Sequence, residues 1–268
     1  MNKIMFGSGA SSFKDIEDLK RICSIAIDCN IRSFDTAPSY HTEENLSAAV
    51  LTVAKSKSLN REDIYIQTKI DPIQMYNGRI EEYFKSKLNA MHLSYVDALL
   101  IHWPVHKYFI NTWEDMNRIK EYGLTKKIGI CNLRVEHLKE LKGIGIIPEI
   151  LQIERHPLNT FLDEVRFCKD NGITLQDYSP LCKMHPLLKE NKLLIELSQK
   201  YEKNIGMIIL RWHIDTGAIP IFTSKNERRV EEYSQIESFS LSKEDCTLIE
   251  SLNINHKLYL ESLICPGF

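Results

Sequence analysis

The sequence is poor in two features: paired cysteine motifs and long apolar runs. Its seven cysteines are an odd number, lie at scattered positions and include no C-x-x-C pair. This pattern argues against a disulfide scaffold or a zinc ribbon and predicts reduced thiols in a cytoplasmic protein. No stretch approaches the roughly 18 uninterrupted apolar residues of a membrane helix, and the N-terminus shows neither an apolar core nor an A-x-A cleavage site. We therefore expect neither export nor a membrane span.

An excess of charge of either sign is also missing. Lysine and arginine number 34 against 36 aspartates and glutamates, which gives a formal net charge of −2. This balance gives no electrostatic reason to expect nucleic acid or an anionic membrane as partner, so we expect a small-molecule substrate. No linker rich in Pro, Gly or Ser and no low-complexity tract divides the 268 residues. We predict a single domain over residues 1–268.

Apolar segments of strand length alternate about eight times with longer segments of helical periodicity. The predicted strands are IMFG, IRSFD, DIYIQTK, DALLIH, KIGIC, ILQIE, TLQDY and AIPIF. The predicted helices are IEDLKRICSIAIDCN, EENLSAAVLTVAKS, GRIEEYFKSKLNAMH, TWEDMNRIKEYG, VEHLKELKG, LDEVRFCKDNG, LLIELSQKYEKN and ERRVEEYSQI. This order predicts an α/β fold of the (β/α)₈ TIM-barrel type.

An open, doubly wound sheet would also give alternating strands and helices. Its usual mark is a glycine-rich turn between the first strand and the first helix. The stretch GSGASS, from Gly7 to Ser12, offers G-x-G but lacks the third glycine of the dinucleotide fingerprint. The barrel is therefore the favoured architecture.

Three successive predicted strands end on ionisable side chains: Asp35, Lys69 and His102. In a (β/α)₈ barrel the carboxyl ends of the strands meet at the face that carries the chemistry. Tyr40 follows five residues after Asp35. Each residue alone has a structural explanation, as a turn cap, a rim lysine, a core histidine or a packing tyrosine, but together they predict a catalytic group.

A tyrosine phenol has an unperturbed pKa near 10, and a nearby ammonium lowers it by favouring the phenolate. We expect Asp35 to hold Lys69 charged beside Tyr40, and His102 to orient an acceptor oxygen. Such a tuned phenol suits a reaction in which a carbonyl oxygen gains a proton as its carbon gains a hydride. The hydride has to come from a cofactor, which indicates a nicotinamide enzyme.

From about Gly7 to Arg229 the chain resembles the aldo-keto reductase family, whose fold is a (β/α)₈ barrel. FDTAPSYHTEE resembles the family's D-T-A-x-x-Y-G-x-E segment, QTKI its T-K strand end and LLIHWP its L-x-H-W-P. The resemblance implies NAD(P)H-dependent reduction of an aldehyde or ketone to an alcohol. It also implies the catalytic tetrad Asp35, Tyr40, Lys69 and His102, with Tyr40 as the general acid.

Further motifs imply where the cofactor binds. KKIGICNL resembles I-G-V-S-N-F and LQIERHP resembles N-Q-x-x-x-H-P, which implies that Asn132 and Gln152 hydrogen-bond the nicotinamide carboxamide. DYSPL resembles the family's Y-S-P-L. This match implies that Tyr178 stacks under the nicotinamide ring while Ser179 and Leu181 contact the pyrophosphate.

The segment PIFTSKNERRVEEY resembles K-S-x-x-x-x-R-x-x-x-N, in which Lys, Ser and Arg bind the 2′-phosphate of NADP. Ser224 and Arg229 match the pattern, whereas Thr223 stands at the Lys position and Tyr233 at the Asn position. One cationic contact is therefore missing, and two neighbouring basic side chains could replace it: Lys225 and Arg228. We expect NADPH as the cofactor, with NADH as the alternative.

Other departures concern the pocket. His41 stands where the family usually has Gly, and Cys131 where it usually has Ser. The segment after the last barrel helix, NINHKLYLESLICPGF, is short, so we expect an open site with Trp103 in an apolar wall. The substrate itself cannot be read from the sequence.

Two other functions stay open. HWPVH, from His102 to His106, superficially resembles the ligand pair of a metal-dependent barrel hydrolase or isomerase, but Pro104 breaks the helical spacing and no carboxylate cluster accompanies it. We predict no metal. The second is a catalytically weak nicotinamide-binding barrel that acts as a redox sensor or partner-binding module, against which the complete tetrad argues. We expect a monomer or a weak dimer.

Overall fold

Parallel strands close into a barrel in the computed structural model, which describes residues 3–9, 13 and 15–260. Within these residues there are eight strands, each paired with the next along the chain, and the last pairs with the first. Their bounds are β1 Met5–Gly7, β2 Ser33–Asp35, β3 Tyr65–Ile70, β4 Val96–Ile101, β5 Thr125–Cys131, β6 Ile150–Glu154, β7 Thr174–Tyr178 and β8 Ala218–Phe222. The predicted (β/α)₈ barrel is confirmed, and the last three strands have the predicted bounds.

The helices surround this barrel. They are α1 Ile16–Asp28, α2 Glu43–Ser56, α3 Pro72–Asn77, α4 Ile80–Ala90, α5 Phe109–Glu121, α6 Val135–Gly143, α7 Leu162–Asn171, α8 Pro186–Lys189, α9 Lys192–Tyr201, α10 Ile205–Asp215, α11 Glu227–Ser234 and α12 Lys243–Glu250. Helices α2 and α6 coincide with their predicted segments. The helices bury the apolar positions whose spacing predicted them. In α1 these buried positions are Leu19, Ile22, Cys23, Ala26 and Ile27.

Four helices were absent from the prediction: α3, α8, α10 and α12. The sequence IGMIILRWHID of α10 is buried at every position from Gly206 to His213. Because the helix has almost no solvent face, its sequence lacks the polar stripe that marks an amphipathic helix. Helices α3 and α8, with six and four residues, are too short to show a period.

The strand side chains alternate between two environments, as the strand period of two requires. Phe6, Phe34 and Ile66 belong to the large apolar cluster that includes the helices, whereas Ala98, Leu100, Cys131 and Ile150 form a small separate cluster. Gly129 lies beside this small cluster, and a Cβ there would come within 2.6 Å of Leu100 Cδ2. The barrel therefore needs glycine at this position.

No helix in the part of the chain that the structure describes has both the length and the apolar character needed to cross a bilayer.

Candidate active site

A buried ion pair joins the carboxyl ends of β2 and β3. Lys69 Nζ donates to both carboxylate oxygens of Asp35 at 2.9 Å and to the Thr36 carbonyl at 2.9 Å. Lys69 is only 1% exposed. Burial alone would lower the pKa of this ammonium, but the attraction and hydrogen bond of Asp35, together with smaller effects of Tyr40 and Cys131, raise the pKa above its usual range. Lys69 is therefore charged at neutral pH.

Two glutamines complete the surroundings of Asp35. Gln67 Nε2 donates to Asp35 Oδ1 at 2.7 Å, and Gln152 Nε2 donates to the same oxygen at 3.2 Å. Both amides also contact Gln176 Oε1, at 2.8 and 2.9 Å. These contacts fix the Asp35 carboxylate and so fix the direction of the Lys69 ammonium.

Tyr40 lies on a single 3₁₀ turn, Pro38–Tyr40, that follows β2. The turn ends at His41, whose φ of 55° and ψ of 31° lie in the left-handed region. That region favours glycine, which explains why a glycine suits this position, yet the turn forms with histidine. Gly9 faces the Tyr40 ring, and a Cβ there would come within 3.1 Å of its Cε2. A side chain at position 9 would therefore crowd the Tyr40 ring.

The Tyr40 hydroxyl lies between two candidate partners. Lys69 Nζ is 3.4 Å from this oxygen, and His102 Nε2 is 3.5 Å from it. Burial is the largest influence on the pKa of Tyr40 and raises it above its ordinary value, while Lys69 acts in the opposite direction. The expected lowering effect of the ammonium is present, but removal from water disfavours the phenolate more than Lys69 favours it, so the net change in the pKa is upward.

His102 follows β4 directly and is tied to both neighbouring strands. Its backbone nitrogen donates to the Ile70 carbonyl at 2.9 Å, and its carbonyl accepts from Asn132 Nδ2 at 2.8 Å. On the ring, Nδ1 is hydrogen-bonded to Asp71. The Tyr40 and His102 rings meet edge to face, with centroids 5.5 Å apart. His102 thus presents its Nε2 edge to the Tyr40 hydroxyl.

A cavity of about 360 Å³ opens over these side chains. Tyr40, His102 and Asp35 line it together with Trp103, which was predicted for the wall. Its remaining lining residues are Gly7, Gly9, Ser39, Tyr178, Ser179, Ile221, Thr223 and Tyr259. The four predicted catalytic residues therefore lie together, and three of them line one cavity while Lys69 lies beneath it.

The C-terminal segment reaches this cavity. The backbone nitrogens of Leu258 and Tyr259 donate to the Glu154 carboxylate at 2.6 and 3.0 Å. The Tyr259 ring packs edge-on against Tyr178, with centroids 5.9 Å apart. The short segment was expected to leave the site open; its described part instead contributes Tyr259 to the cavity wall. Residues 261–268 lie outside the described part of the chain.

Asn132 and Gln152 differ in the hydrogen-bonding groups that they leave for a ligand. Asn132 adopts a left-handed φ of 61°, donates to His102 and accepts from the Tyr178 hydroxyl at 2.8 Å. One amide proton and one lone pair of Asn132 remain for another partner. In contrast, both amide protons of Gln152 are directed to Asp35 and Gln176. Gln152 has only its oxygen left for a carboxamide.

A second cavity, of about 460 Å³, adjoins the first because Thr223 lines both. Its wall contains Leu181 and Arg229, which were predicted to bind the cofactor, and Tyr233. Ser224 is engaged locally, since its hydroxyl accepts from the Asn226 nitrogen at 3.0 Å. The two cavities share Thr223, which follows β8, in their walls, and together we call them the groove.

The two basic side chains named as replacements for the missing lysine differ in their surroundings. Lys225 Nζ donates to Asp18 at 2.7 Å and is engaged with that carboxylate. Arg228 is exposed at the start of α11 and does not line the groove. Arg229 therefore remains the basic residue of the predicted set in the wall.

A comparison with protein-family profiles shows which family this chain belongs to. Residues 3–254 match the profile of the aldo/keto reductase family. The chain belongs to the aldo-keto reductase family. The match extends beyond the predicted segment at both ends.

Relatives of this reductase agree with the assignment. It is 32% identical to the glyoxal reductase of Bacillus subtilis over 255 residues, which are 94% of this chain and 90% of that protein. It is 32% identical to the methylglyoxal reductase DkgA of Escherichia coli (strain K12) over 239 residues, 87% of this chain and 84% of that protein. A crystal structure of Bombyx mori aldo-keto reductase in complex with NADP superimposes with a TM-score of 0.86 at 26% identity, covering 98% of this chain and 92% of that one.

These findings confirm several predictions about the reductase. It is a single-domain (β/α)₈ barrel, an oxidoreductase of the aldo-keto reductase family, and its cofactor class is NAD(P)H. Carbonyl reduction is its general activity. The roles of individual site residues and the domain bounds 1–268 stay predictions.

The donor set of the reductase fits a nicotinamide dinucleotide. Asn132 has an amide proton and a lone pair to spare, Tyr178 presents an aromatic ring in the cavity wall, and Arg229 lines the far end of the groove. Among the described residues no three His, Cys, Asp or Glu side chains are grouped as metal ligands.

The sequence reasoning missed Asp71, Gln67 and Gln176. The two glutamines lie within apolar strands and look like isolated polar residues, so only the closed barrel shows that they meet. Asp71 did carry a signal: the stretch DPIQ, with Asp before Pro and Gln three residues later, is typical of a helix start. Asp71 indeed caps α3 reciprocally with Gln74.

Proposed function

We propose that this protein reduces small aldehydes and dicarbonyl compounds to alcohols with NADPH, and that Tyr40 is the general acid. The observation that carries the proposal is the position of the Tyr40 hydroxyl. It lies within 3.5 Å of both Lys69 Nζ and His102 Nε2, beside a cavity that is lined by Tyr40 and His102. Bound NADPH supplies the hydride.

Tyr40 is suited to give a proton rather than to take one. The phenol, whose pKa burial raises, is protonated at neutral pH and so has a proton to donate to a carbonyl oxygen that gains negative charge. Donation leaves a phenolate, which the charged Lys69 ammonium at 3.4 Å stabilises. Asp35 holds this ammonium in place through both carboxylate oxygens.

The preference for NADPH rests on the groove. Arg229 lines its far end, and a guanidinium is suited to bind a phosphate with two parallel hydrogen bonds. The Bombyx mori relative binds NADP. Thr223 carries no charge at the position of the family lysine, and its hydroxyl donates to the Gly7 carbonyl at 2.8 Å. We therefore place the 2′-phosphate on Arg229 and Ser224, with NADH as a weaker cofactor.

The substrate class follows from the cavity size and the relatives. A cavity of about 360 Å³ that also has to accept a nicotinamide ring leaves room for a small carbonyl compound. Relatives at 32% identity are named for glyoxal and methylglyoxal reduction. We propose these dicarbonyls as the first substrates to assay. The cytoplasmic location and the monomeric or weakly dimeric state stay predictions.

The test is the Tyr40→Phe variant, which removes one hydroxyl and keeps the ring. We expect the oxidation of NADPH with glyoxal or methylglyoxal to fall by about 10²- to 10⁴-fold, while NADPH affinity in a fluorescence titration stays within about twofold. Tyr122→Phe is the matched control, because Tyr122 is 59% exposed on the surface and should keep full activity.

Two outcomes would count against the proposal. If Tyr40→Phe kept most of the wild-type kcat, Tyr40 would not be the acid. If the wild-type protein bound NADPH tightly but turned over no carbonyl compound in a broad panel, the redox-sensor or partner-binding function would replace the enzymatic one.

A further inference from the structure

The Asp71 carboxylate occupies a buried position behind the ring of His102. Asp71 is 5% exposed and its Oδ1 is hydrogen-bonded to His102 Nδ1. Its other oxygen, Oδ2, accepts from the Ser39 backbone nitrogen at 2.7 Å, and the Asp71 backbone carbonyl accepts from the Gln74 nitrogen at the start of α3 at 3.0 Å. The Asp71 carboxylate thus links the turn that carries Tyr40 to the ring of His102, while the Asp71 backbone begins α3.

Burial and the charges around Asp71 and His102 determine whether each side chain is ionised. Burial alone would raise the pKa of Asp71, but hydrogen bonds from His102 and Ser39 lower it below its usual value. Burial and the nearby Lys69 lower the pKa of His102, against the opposing effects of Asp71 and Asp35. At neutral pH the pair is therefore a carboxylate and a neutral imidazole.

We infer that Asp71 is a positioning residue that holds His102 as its Nδ1-protonated tautomer, so that Nε2 presents a lone pair to Tyr40 and to the cavity. A carboxylate accepts hydrogen bonds only, so the proton between the two groups belongs to Nδ1. A neutral imidazole carries one proton. Its Nε2, 3.5 Å from the Tyr40 hydroxyl, is consequently an acceptor.

This tautomer has a consequence for the substrate, which rests on the proposed function. An Nε2 lone pair cannot donate to a carbonyl oxygen, but it can accept from a hydroxyl group on the carbon next to the carbonyl. A 2-hydroxyaldehyde satisfies this acceptor, whereas the matching aldehyde without the hydroxyl leaves it unpaired. We expect kcat/KM for lactaldehyde to exceed that for propanal by about two- to tenfold.

The tautomer is measurable without turnover. In wild-type protein labelled with ¹⁵N-histidine, two-bond ¹⁵N–¹H correlation spectra at neutral pH distinguish a protonated ring nitrogen from an unprotonated one. The His102 signals are assigned as those lost in His102→Asn. We expect a protonated Nδ1 and an unprotonated Nε2. A proton on Nε2 of the wild type, or on both nitrogens, would overturn the inference whatever the enzyme activity.

The variant Asp71→Asn should reverse the tautomer. The Ser39 nitrogen requires an acceptor at the Oδ2 position, so the amide oxygen takes that side and the amide nitrogen faces His102 Nδ1. Nδ1 must then accept, and the ring proton moves to Nε2. The preference for lactaldehyde over propanal should disappear or reverse, and the ¹⁵N spectrum should show a protonated Nε2.

Gln74→Ala is the matched control. It removes the other half of the same reciprocal cap, in which Gln74 Oε1 accepts from the Asp71 nitrogen at 3.0 Å, and leaves the Asp71 carboxylate in place. Tautomer and substrate preference should both stay as in the wild type. If Gln74→Ala and Asp71→Asn changed the preference equally, Asp71 would act only by capping α3. If no aldehyde were reduced at all, the proposed function would fail, and the ¹⁵N spectrum alone would decide the role of Asp71.

Discussion

Replacing Lys69 by Met tests the centre of the site through stability as well as through activity. The substitution keeps a long unbranched side chain but removes the ammonium that donates to both oxygens of Asp35. Both residues are buried, with 1% and 3% of their surface exposed. The variant therefore leaves a buried carboxylate that still accepts from Gln67 and Gln152 but has lost its counter-charge.

Two estimates limit the loss of stability that Lys69→Met should cause. Breaking a buried ion pair by removing one partner costs about 3–5 kcal/mol. The carboxyl group escapes this cost by taking up a proton, and protonating a carboxyl of ordinary pKa, about 3.9, costs roughly 4 kcal/mol at pH 7. We expect Lys69→Met to lower the free energy of unfolding by about 3–4 kcal/mol at pH 7.

The proton that Asp35 takes up in the variant also sets the sign of the pH dependence of its stability. In the variant the folded state binds the proton more readily than the unfolded state does, so the stability of the variant rises as the pH falls. Two pH units reduce the cost of protonation by about 2.7 kcal/mol. The deficit relative to wild type should therefore be much smaller at pH 5 than at pH 7.

Urea denaturation of wild type, Lys69→Met and Lys69→Met with Asp35→Asn, at pH 5 and pH 7, measures these quantities. The double variant has no charge to bury and should recover most of the loss at pH 7. In the assay with glyoxal, both variants should lose about tenfold or more in kcat/KM near neutrality, because the Tyr40 phenolate has lost its stabilising charge. A deficit for Lys69→Met below 1 kcal/mol that does not change with pH would refute the reasoning.

Two further predictions concern the cofactor groove and the turn at Tyr40. Arg229→Ala should weaken NADPH binding by about ten- to a hundredfold and leave NADH binding nearly unchanged in a fluorescence titration, with Arg228→Ala as the neighbouring control and Thr223→Lys sharpening the preference for NADPH. Equal loss for both dinucleotides would show that Arg229 serves the fold. His41→Gly should raise the free energy of unfolding by up to about 1 kcal/mol, since glycine adopts the left-handed φ of 55° without strain. His41→Ala keeps the Cβ and should show no such gain; a destabilised His41→Gly would mean that the histidine side chain itself contributes to the turn.

Much of the fold was predictable because its signals are local. The strands β6, β7 and β8 begin and end as predicted, since each is a short run of mostly buried residues between polar segments. Helix α2 likewise has its predicted bounds. Helix α10 was missed because tertiary packing buries it on nearly all sides, and a helix without a polar face leaves no period in the sequence.

The four tetrad positions were predictable for a geometric reason. A residue at the carboxyl end of a parallel strand must lie at one face of the barrel, so a polar residue after an apolar run has a known location once the fold is assigned. Asp35, Lys69 and His102 follow this rule. Tyr40 follows it less directly, because its position depends on the 3₁₀ turn and on the left-handed backbone of His41.

What the sequence could not give is the balance of opposing effects within the site. The sequence correctly placed an ammonium beside a phenol, and in the structure Lys69 Nζ lies 3.4 Å from the Tyr40 hydroxyl. From this pair the sequence predicted that Lys69 lowers the pKa of Tyr40. The structure adds the depth of burial, which raises the pKa more than Lys69 lowers it. It also adds Asp71, which contacts His102 because the two residues directly follow Ile70 and Ile101, the last paired residues of β3 and β4. Burial favours the protonated form of Tyr40, and we infer from the contact with Asp71 that His102 accepts rather than donates. If Tyr40 is the proposed acid and His102 the proposed acceptor, the rate of carbonyl reduction should depend on Tyr40 far more than on His102.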